Sequence, residues 1–184
     1  GAMIAKELPK KMTIVGSGAI GCEFAYFYNA FGTEVTIIEM MPNILPVEDK
    51  DMSDVVAREF KKSGIKLLTD TKTESIELKD NKVITKVSGK SNEDLESDVV
   101  LIAIGVQGNI ENIGLEELGV VTEKSSIKVD KDYKTNIEGI YAIGDVNGPP
   151  WLAHVASSEG INCVEKIKGM HVPDIDYNTI PGCT

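Results

Sequence analysis

Gly16, Gly18 and Gly21, followed 18 residues later by Glu39, are the residues whose types and spacing could do chemistry in this sequence. A G-x-G-x-x-G run lets a chain turn tightly and bring its amides against a bulky anion. The first glycine permits the turn, the second a close backbone approach, and the third a helix packed near a strand. Ala19 and Ile20 lie inside the run, at the start of the helix it would open, where unpaired N–H groups can face a pyrophosphate. Glu39 supplies the other half of such a site. A carboxylate at that separation can accept hydrogen bonds from both hydroxyls of an adenosine ribose and would repel a 2′-phosphate. Met40, Met41, Pro42 and Asn43 bring no Arg or Lys to hold that phosphate. The pattern is that of an NAD site rather than an NADP site.

The glycines carry this meaning only where a strand precedes them and a helix follows. Met12 to Val15 is an apolar run that predicts the strand. Ile20, Phe24, Phe27 and Phe31 recur at helical spacing and predict one apolar helix face, with Gly32 as the C-terminal cap. Val35 to Ile38 then predicts a second strand that delivers Glu39 at its carboxyl end. Strand, turn, helix, strand and acid form a dinucleotide-binding βαβ unit.

Beyond it, PNILPVE reads as a loop, and Met52, Val55, Val56 and Phe60 mark a helix face that ends at Gly64. Ile65 to Thr69 predicts a third strand. Thr73 to Leu78 and Val83 to Val87 alternate around Asp80-Asn81, which predicts antiparallel strands. Asp98 to Ile104 is a continuous apolar run, expected as a strand buried on both faces of a parallel sheet. Gly105 would then sit at a carboxyl strand end, where open α/β sheets bind their ligands. Ile113 to Leu118 looks like a short helix, Ile140 to Ile143 a buried strand ending in Gly144-Asp145, and Trp151 to Ile167 a helix.

Lys and Arg total 19 against 29 Asp and Glu, a formal net charge of −10. Such a surface repels nucleic acid and anionic membranes, and no basic cluster breaks the trend. No apolar run reaches membrane-spanning length. Gly1-Ala2-Met3 looks like the remnant of a cleaved tag. Cys22, Cys163 and Cys183 have no paired or metal-ligand spacing, which fits a reducing compartment, the cytoplasm or, in a eukaryote, the mitochondrial matrix. No metal site and no catalytic residue is assigned.

The segment from Thr135 to Asp145, TNIEGIYAIGD, resembles the second FAD-binding motif of the two-dinucleotide flavoprotein disulfide reductases. The fingerprint GSGAIGCEFA, the strand-turn LIAIG and the helix LAHVASSEG resemble the same family in the same order, nearest its dihydrolipoamide dehydrogenase branch. The resemblance covers nearly the whole chain from Leu8. It implies that Asp145 holds the ribityl chain of FAD, that Glu23 lies close to the nicotinamide end, and that Gly105 faces the NAD ribose. It also implies a homodimeric parent enzyme within 2-oxo acid dehydrogenase complexes.

The sequence departs from the family at several points. Gly105-Val106-Gln107-Gly108-Asn109 stands where many relatives have Gly-Arg-x-Pro-Asn. There is one glycine fingerprint and no C-x4-C pair. His154 and Glu159 copy a His-x4-Glu spacing, but they match the helix after the FAD aspartate, so the likeness is read as coincidence. The expected architecture is a Rossmann-like doubly wound parallel sheet with a small antiparallel meander, plus a partial FAD-domain segment, which is expected to be irregular or to self-associate because the resemblance places the partner sheet of Ile140 to Ile143 in the missing flavin domain. The expected divisions are residues 1–8 as tag and linker, 9–106 as the NAD-binding domain and 107–184 as the truncated return segment. A fragment that binds NAD(H) weakly and catalyses nothing is the expected behaviour. A piece of another NADH-dependent flavoprotein reductase or oxidase, or a stand-alone NAD-sensing module, are the competing expectations.

Overall fold

In the computed structural model, which describes all 184 residues, the chain divides into two compact units, residues 1–105 with Thr184, and residues 106–183. The first is built on a parallel sheet of β1 (Lys11–Val15), β2 (Glu34–Ile38), β3 (Lys66–Leu68) and β7 (Val99–Ile102) in the order β3-β2-β1-β7. Helix α1 (Ala19–Ala30) connects β1 to β2, and α2 (Lys50–Lys62) connects β2 to β3. Three antiparallel strands, β4 (Thr71–Lys79), β5 (Lys82–Gly89) and β6 (Asp94–Ser97), intervene before β7. Asp80 and Asn81 both have positive φ, 49° and 62°, and close β4 onto β5 in the two-residue turn that suits the strand twist.

Strand alternation splits the core into two layers. Met12, Ile14, Val35 and Ile37 point to the helices and pack with Cys22, Ala25, Tyr28 and Phe60. Ile38 and Leu68 pack on the other face with Val87 and Leu95 of the meander. The fold is α/β, with a parallel sheet and antiparallel strands, as the sequence predicts.

The helix faces differ from the sequence expectation. On α1 the buried residues are Gly21, Cys22, Ala25 and Tyr28. Ile20 is 44%, Phe27 52% and Phe31 62% exposed, and of the predicted face only Phe24 touches the core. The close approach of the first turns of α1 to β1 leaves room only for Gly21, Cys22 and Ala25, and Tyr28 is buried further along the helix; Phe27 and Phe31 turn outward, their rings tilted against each other with centroids 4.9 Å apart. On α2, Ser53 and Phe60 are buried with Val56 and Ala57 beside them, whereas Met52 and Val55 are exposed. Both helices end as the glycines predict. Gly32 N–H donates to Asn29 and Thr33 N–H to Tyr28 at the end of α1, a full Schellman cap, and Gly64 with Ile65 repeats it on α2.

β7 is an edge strand, not a strand buried on both faces. It pairs with β1 alone, and Ile102 and Ile104 are 60% and 75% exposed. An apolar run does not by itself distinguish a central strand from an edge one.

The second unit holds α3 (Leu115–Leu118) and the two-residue strands β8 (Thr122–Glu123) and β9 (Ser126–Ile127) with a core of Ile110, Leu115, Val120, Ile127 and Ala142, and α4 (Ala153–Ile167), which buries Val155, Glu159 and Cys163. Ile140 to Ile143 is not a regular strand. One bridge, Lys134 to Tyr141, and the hydrogen bonds Thr135 N–H to Ile140 and Ala142 N–H to Tyr133 hold it against the preceding segment. With no further strand on its other side, no ladder extends it. Ala2–Ile4 forms a 3-10 turn, and the Ala2 carbonyl accepts the Tyr28 hydroxyl at 2.7 Å. No helix is long and apolar enough to cross a membrane.

Candidate functional site

The carboxyl ends of β1, β2 and β7 bring three loops together. Gly16 N–H donates to Ile38 at 2.9 Å and Ala103 N–H to Val15 at 2.7 Å, so the glycine turn lies between the ends of β2 and β7. β1 and β7 flank the point where the strand order reverses, the crevice in which such sheets bind ligands.

The three glycines serve different contacts. A Cβ on Gly16 would stand 2.4 Å from the Ala103 carbonyl oxygen, and Gly16 has φ of +99°. A Cβ on Gly21 would stand 2.1 Å from the Gly16 carbonyl oxygen. Both are demanded by the protein's own backbone. Gly18 is different: its φ of −66° suits any residue and nothing lies within 4 Å of its Cβ position. The space beside it is open, at the N-terminus of α1, where no side chain caps the first amides and no acidic residue occupies the first turn. Ala19 and Ile20 contribute N–H groups to that end. The Cys22 N–H is already bonded to the Gly18 carbonyl at 3.0 Å.

Glu39 is buried at the end of β2. Its Oε2 accepts Ser17 N–H at 2.9 Å and Ser17 Oγ–H at 2.7 Å, and its Oε1 accepts Met41 N–H at 2.8 Å. Three of the roughly four acceptor positions of the carboxylate are thus filled from within the chain. Sequence reasoning missed Ser17, although a short hydroxyl donor inside the fingerprint is a signal that could have found it. The loop after β2 is fixed by Ile44 and Leu45, both buried, and by Leu45 N–H donating to the Ser17 carbonyl at 2.9 Å.

Gly105 follows β7 with φ of +137° and open space around it. Glu23 lies on the exposed side of α1. Cys22 is buried, its Sγ–H donates to the Ser17 carbonyl, and burial, with Glu39 and Glu23 nearby, pushes its pKa up to about 12. Such a thiol is inert.

Asp145 belongs to the second unit, in the 3-10 turn Gly144–Asn147, with its side chain exposed. Two groups hold its backbone. The Trp151 indole N–H donates to the Asp145 carbonyl at 3.1 Å, and Gly144 N–H donates to Glu159 Oε2 at 2.6 Å. Glu159 is buried and also accepts the Tyr177 hydroxyl at 2.7 Å. Burial and that carboxylate raise the Tyr177 pKa above the usual phenol range. His154 is exposed at the first turn of α4, so the His154 and Glu159 pair does not form a shared site. A cavity of about 610 Å³ lies in this unit and includes Lys131, Asp132, Lys166, His171 and Asp174. Lys166 spends its amine there on Asp174 at 2.5 Å and Asp132 at 3.2 Å. No group of three His, Cys, Asp or Glu side chains is arranged to hold a metal ion.

Residues 1–160 match the family described as pyridine nucleotide-disulphide oxidoreductase. A dihydrolipoyl dehydrogenase of Rhizobium etli is 46% identical over 186 aligned positions, covering 100% of this chain and 39% of that protein. One from Zymomonas mobilis is 44% identical over 100% of this chain and 40% of its own length. The crystal structure of LpdA from Mycobacterium tuberculosis superposes with a TM-score of 0.86 at 29% identity, covering 96% of this chain and 38% of that one. The chain thus spans about two fifths of the length of the curated relatives it matches.

Proposed function

The chain belongs to the pyridine nucleotide-disulphide oxidoreductase family, and from that premise we propose that it is the NAD(H)-docking portion of a dihydrolipoyl dehydrogenase. The observation that carries the reading is the open space over Gly18 at the uncapped start of α1, beside two glycines that the protein itself requires. A pyrophosphate fits that space and the amides of Ala19, Ile20 and Gly21 suit its charge. Glu39 accepts from the adenosine ribose and disfavours a 2′-phosphate. Gly105 borders the far ribose, and Glu23 stands toward the nicotinamide end.

In the whole enzyme the proposed reaction moves a hydride equivalent from dihydrolipoamide through FAD to NAD⁺. The part assigned to residues 9–106 is positional: these residues fix the dinucleotide so that its reacting ring is held in one place. Residues 107–184 supply the return segment of the FAD domain, in which the exposed Asp145 carboxylate suits the hydroxyls of a ribityl chain. The whole enzyme is a homodimer serving a 2-oxo acid dehydrogenase complex in the cytoplasm or mitochondrial matrix.

This chain has no paired cysteines to exchange electrons with a dithiol, so it binds nucleotide without turnover. Fluorescence titration of the purified chain tests the first half: NADH binds and NADPH binds more weakly. Assay with dihydrolipoamide and NAD⁺, with and without added FAD, tests the second, and measurable turnover overturns it.

A further inference from the structure

We propose that Ser17 sets the nucleotide preference of this site by dividing the work of the two Glu39 oxygens, an inference that rests on the NAD(H) reading above. Ser17 is fully buried, and both of its donors end on one atom, Oε2. A carboxylate only accepts, so the Ser17 hydroxyl must donate, and with the amide it fills both lone pairs of Oε2. Oε1 holds the Met41 N–H and keeps one acceptor position. Oε2 therefore belongs to the protein, and Oε1 is the atom left for a ribose hydroxyl.

Ser17 is itself held on its backbone side. Its carbonyl accepts Leu45 N–H at 2.9 Å and the Cys22 thiol at 3.3 Å, and its neighbours are the two glycines of the turn. The carboxylate plane is thereby tied to the backbone that forms the pyrophosphate turn. A ligand hydroxyl meets an acceptor already in place, while a 2′-phosphate meets a negative charge that cannot rotate away. Without the Ser17 hydroxyl one amide remains on each oxygen, Oε2 regains an open acceptor position, and the carboxylate is held less firmly about its last torsion. The contact to NADH weakens and the repulsion of NADPH relaxes together. Ser17 is a positioning residue, and its signature is the ratio of the two affinities, which a general loss of stability would leave alone.

The test is titration of NADH and NADPH into the full chain and its Ser17→Ala and Glu39→Gln variants, each checked for folding by circular dichroism. Ser17→Ala lowers the NADH over NADPH preference on the order of tenfold, the worth of one hydrogen bond to a charged group. Glu39→Gln lowers it at least as far. Should Ser17→Ala fail to fold, Ser17→Gly keeps the amide donor and gives the same comparison. If Glu39→Gln changes the ratio and the Ser17 variants do not, this inference is overturned and the NAD(H) reading stands. If Glu39→Gln also leaves the ratio unchanged, or the unaltered chain binds neither nucleotide, the site reading fails and the inference falls with it.

Discussion

The carbonyl oxygen of Gly16 stands 2.1 Å from the point where a Cβ on Gly21 would lie. The first and third glycines of the fingerprint are thus one contact, with the start of α1 pressed onto the turn that leaves β1. The same contact goes with the small residues Gly21, Cys22 and Ala25 by which the first turns of α1 meet the sheet. Gly18, between them, is under no such demand, and this asymmetry separates folding from binding.

Gly21→Ala forces backbone against backbone, which no side-chain rotation can relieve. We expect a loss of about 1–3 kcal/mol, the usual cost of overpacking, read as a lower urea midpoint with an unchanged slope. Nucleotide binding falls with it.

Gly18→Ala behaves in the opposite way. The new methyl enters open space at an allowed φ, so stability stays within about 0.5 kcal/mol, while NADH affinity drops at least several-fold because the methyl occupies the pyrophosphate space. Unchanged NADH affinity in a fully folded Gly18→Ala chain would remove the main support for a nucleotide at this turn.

The strand, turn, helix and acid from Met12 to Glu39 were legible in the sequence because each follows from local rules: glycine φ, strand alternation and helix capping. The Asp80-Asn81 hairpin was legible for the same reason. What was not legible depended on partners distant in sequence. The buried face of α1 follows from how closely the helix approaches β1, and of the four aromatic or aliphatic residues at helical spacing three, Ile20, Phe27 and Phe31, lie on the exposed side. The edge position of β7 follows from sheet order, which an apolar run does not encode. The role of Ser17 was hinted at only by its place in the fingerprint, and Glu159 drew notice only for a spacing to His154 that the structure does not use; their tertiary hydrogen bonds show what each holds.

Glu159→Ala removes the acceptor of Gly144 N–H and the Tyr177 hydroxyl at once. Gly144 is half-buried and Tyr177 is exposed enough for water to take its hydroxyl, so the cost is that of about one lost hydrogen bond to a charged group, and we expect the second unit to lose about 1–2 kcal/mol in denaturant. Amide exchange should report fast Gly144 exchange in this variant. Retained protection at Gly144 would mean that the buried carboxylate is not what holds the Gly144–Asn147 turn.

Asp98 accepts the Lys82 ammonium and the amides of Lys11 and Lys10, joining the start of β1 to the start of β7. These partners, the ammonium foremost, lower its pKa to about 2. The folded value lies below the ordinary aspartate value of about 3.9, so the unfolded chain takes up the proton first. The stabilisation is complete above about pH 4 and is lost as the pH falls toward 2. Thermal midpoints measured between pH 5 and pH 2 should decline less steeply for Asp98→Asn than for the unaltered chain. Parallel declines would show that the Lys82 pairing contributes nothing to the acid limit.

The three thiols should be sharply unequal. Cys22 is buried with its pKa pushed up to about 12, so about one molecule in 10⁴ carries the thiolate at pH 8. Burial raises Cys163 as well, whereas Cys183 is exposed. An aromatic disulfide reagent at pH 8 should therefore label one thiol per chain rapidly and three after denaturation, and Cys183→Ser should abolish the fast phase. A fast phase that survives in Cys183→Ser and disappears in Cys22→Ser would mean that the N-terminal turn of α1 opens readily. The Cys22 to Ser17 contact would then be too transient to support the carboxylate of Glu39, and the rigid ribose acceptor argued above would not persist in solution.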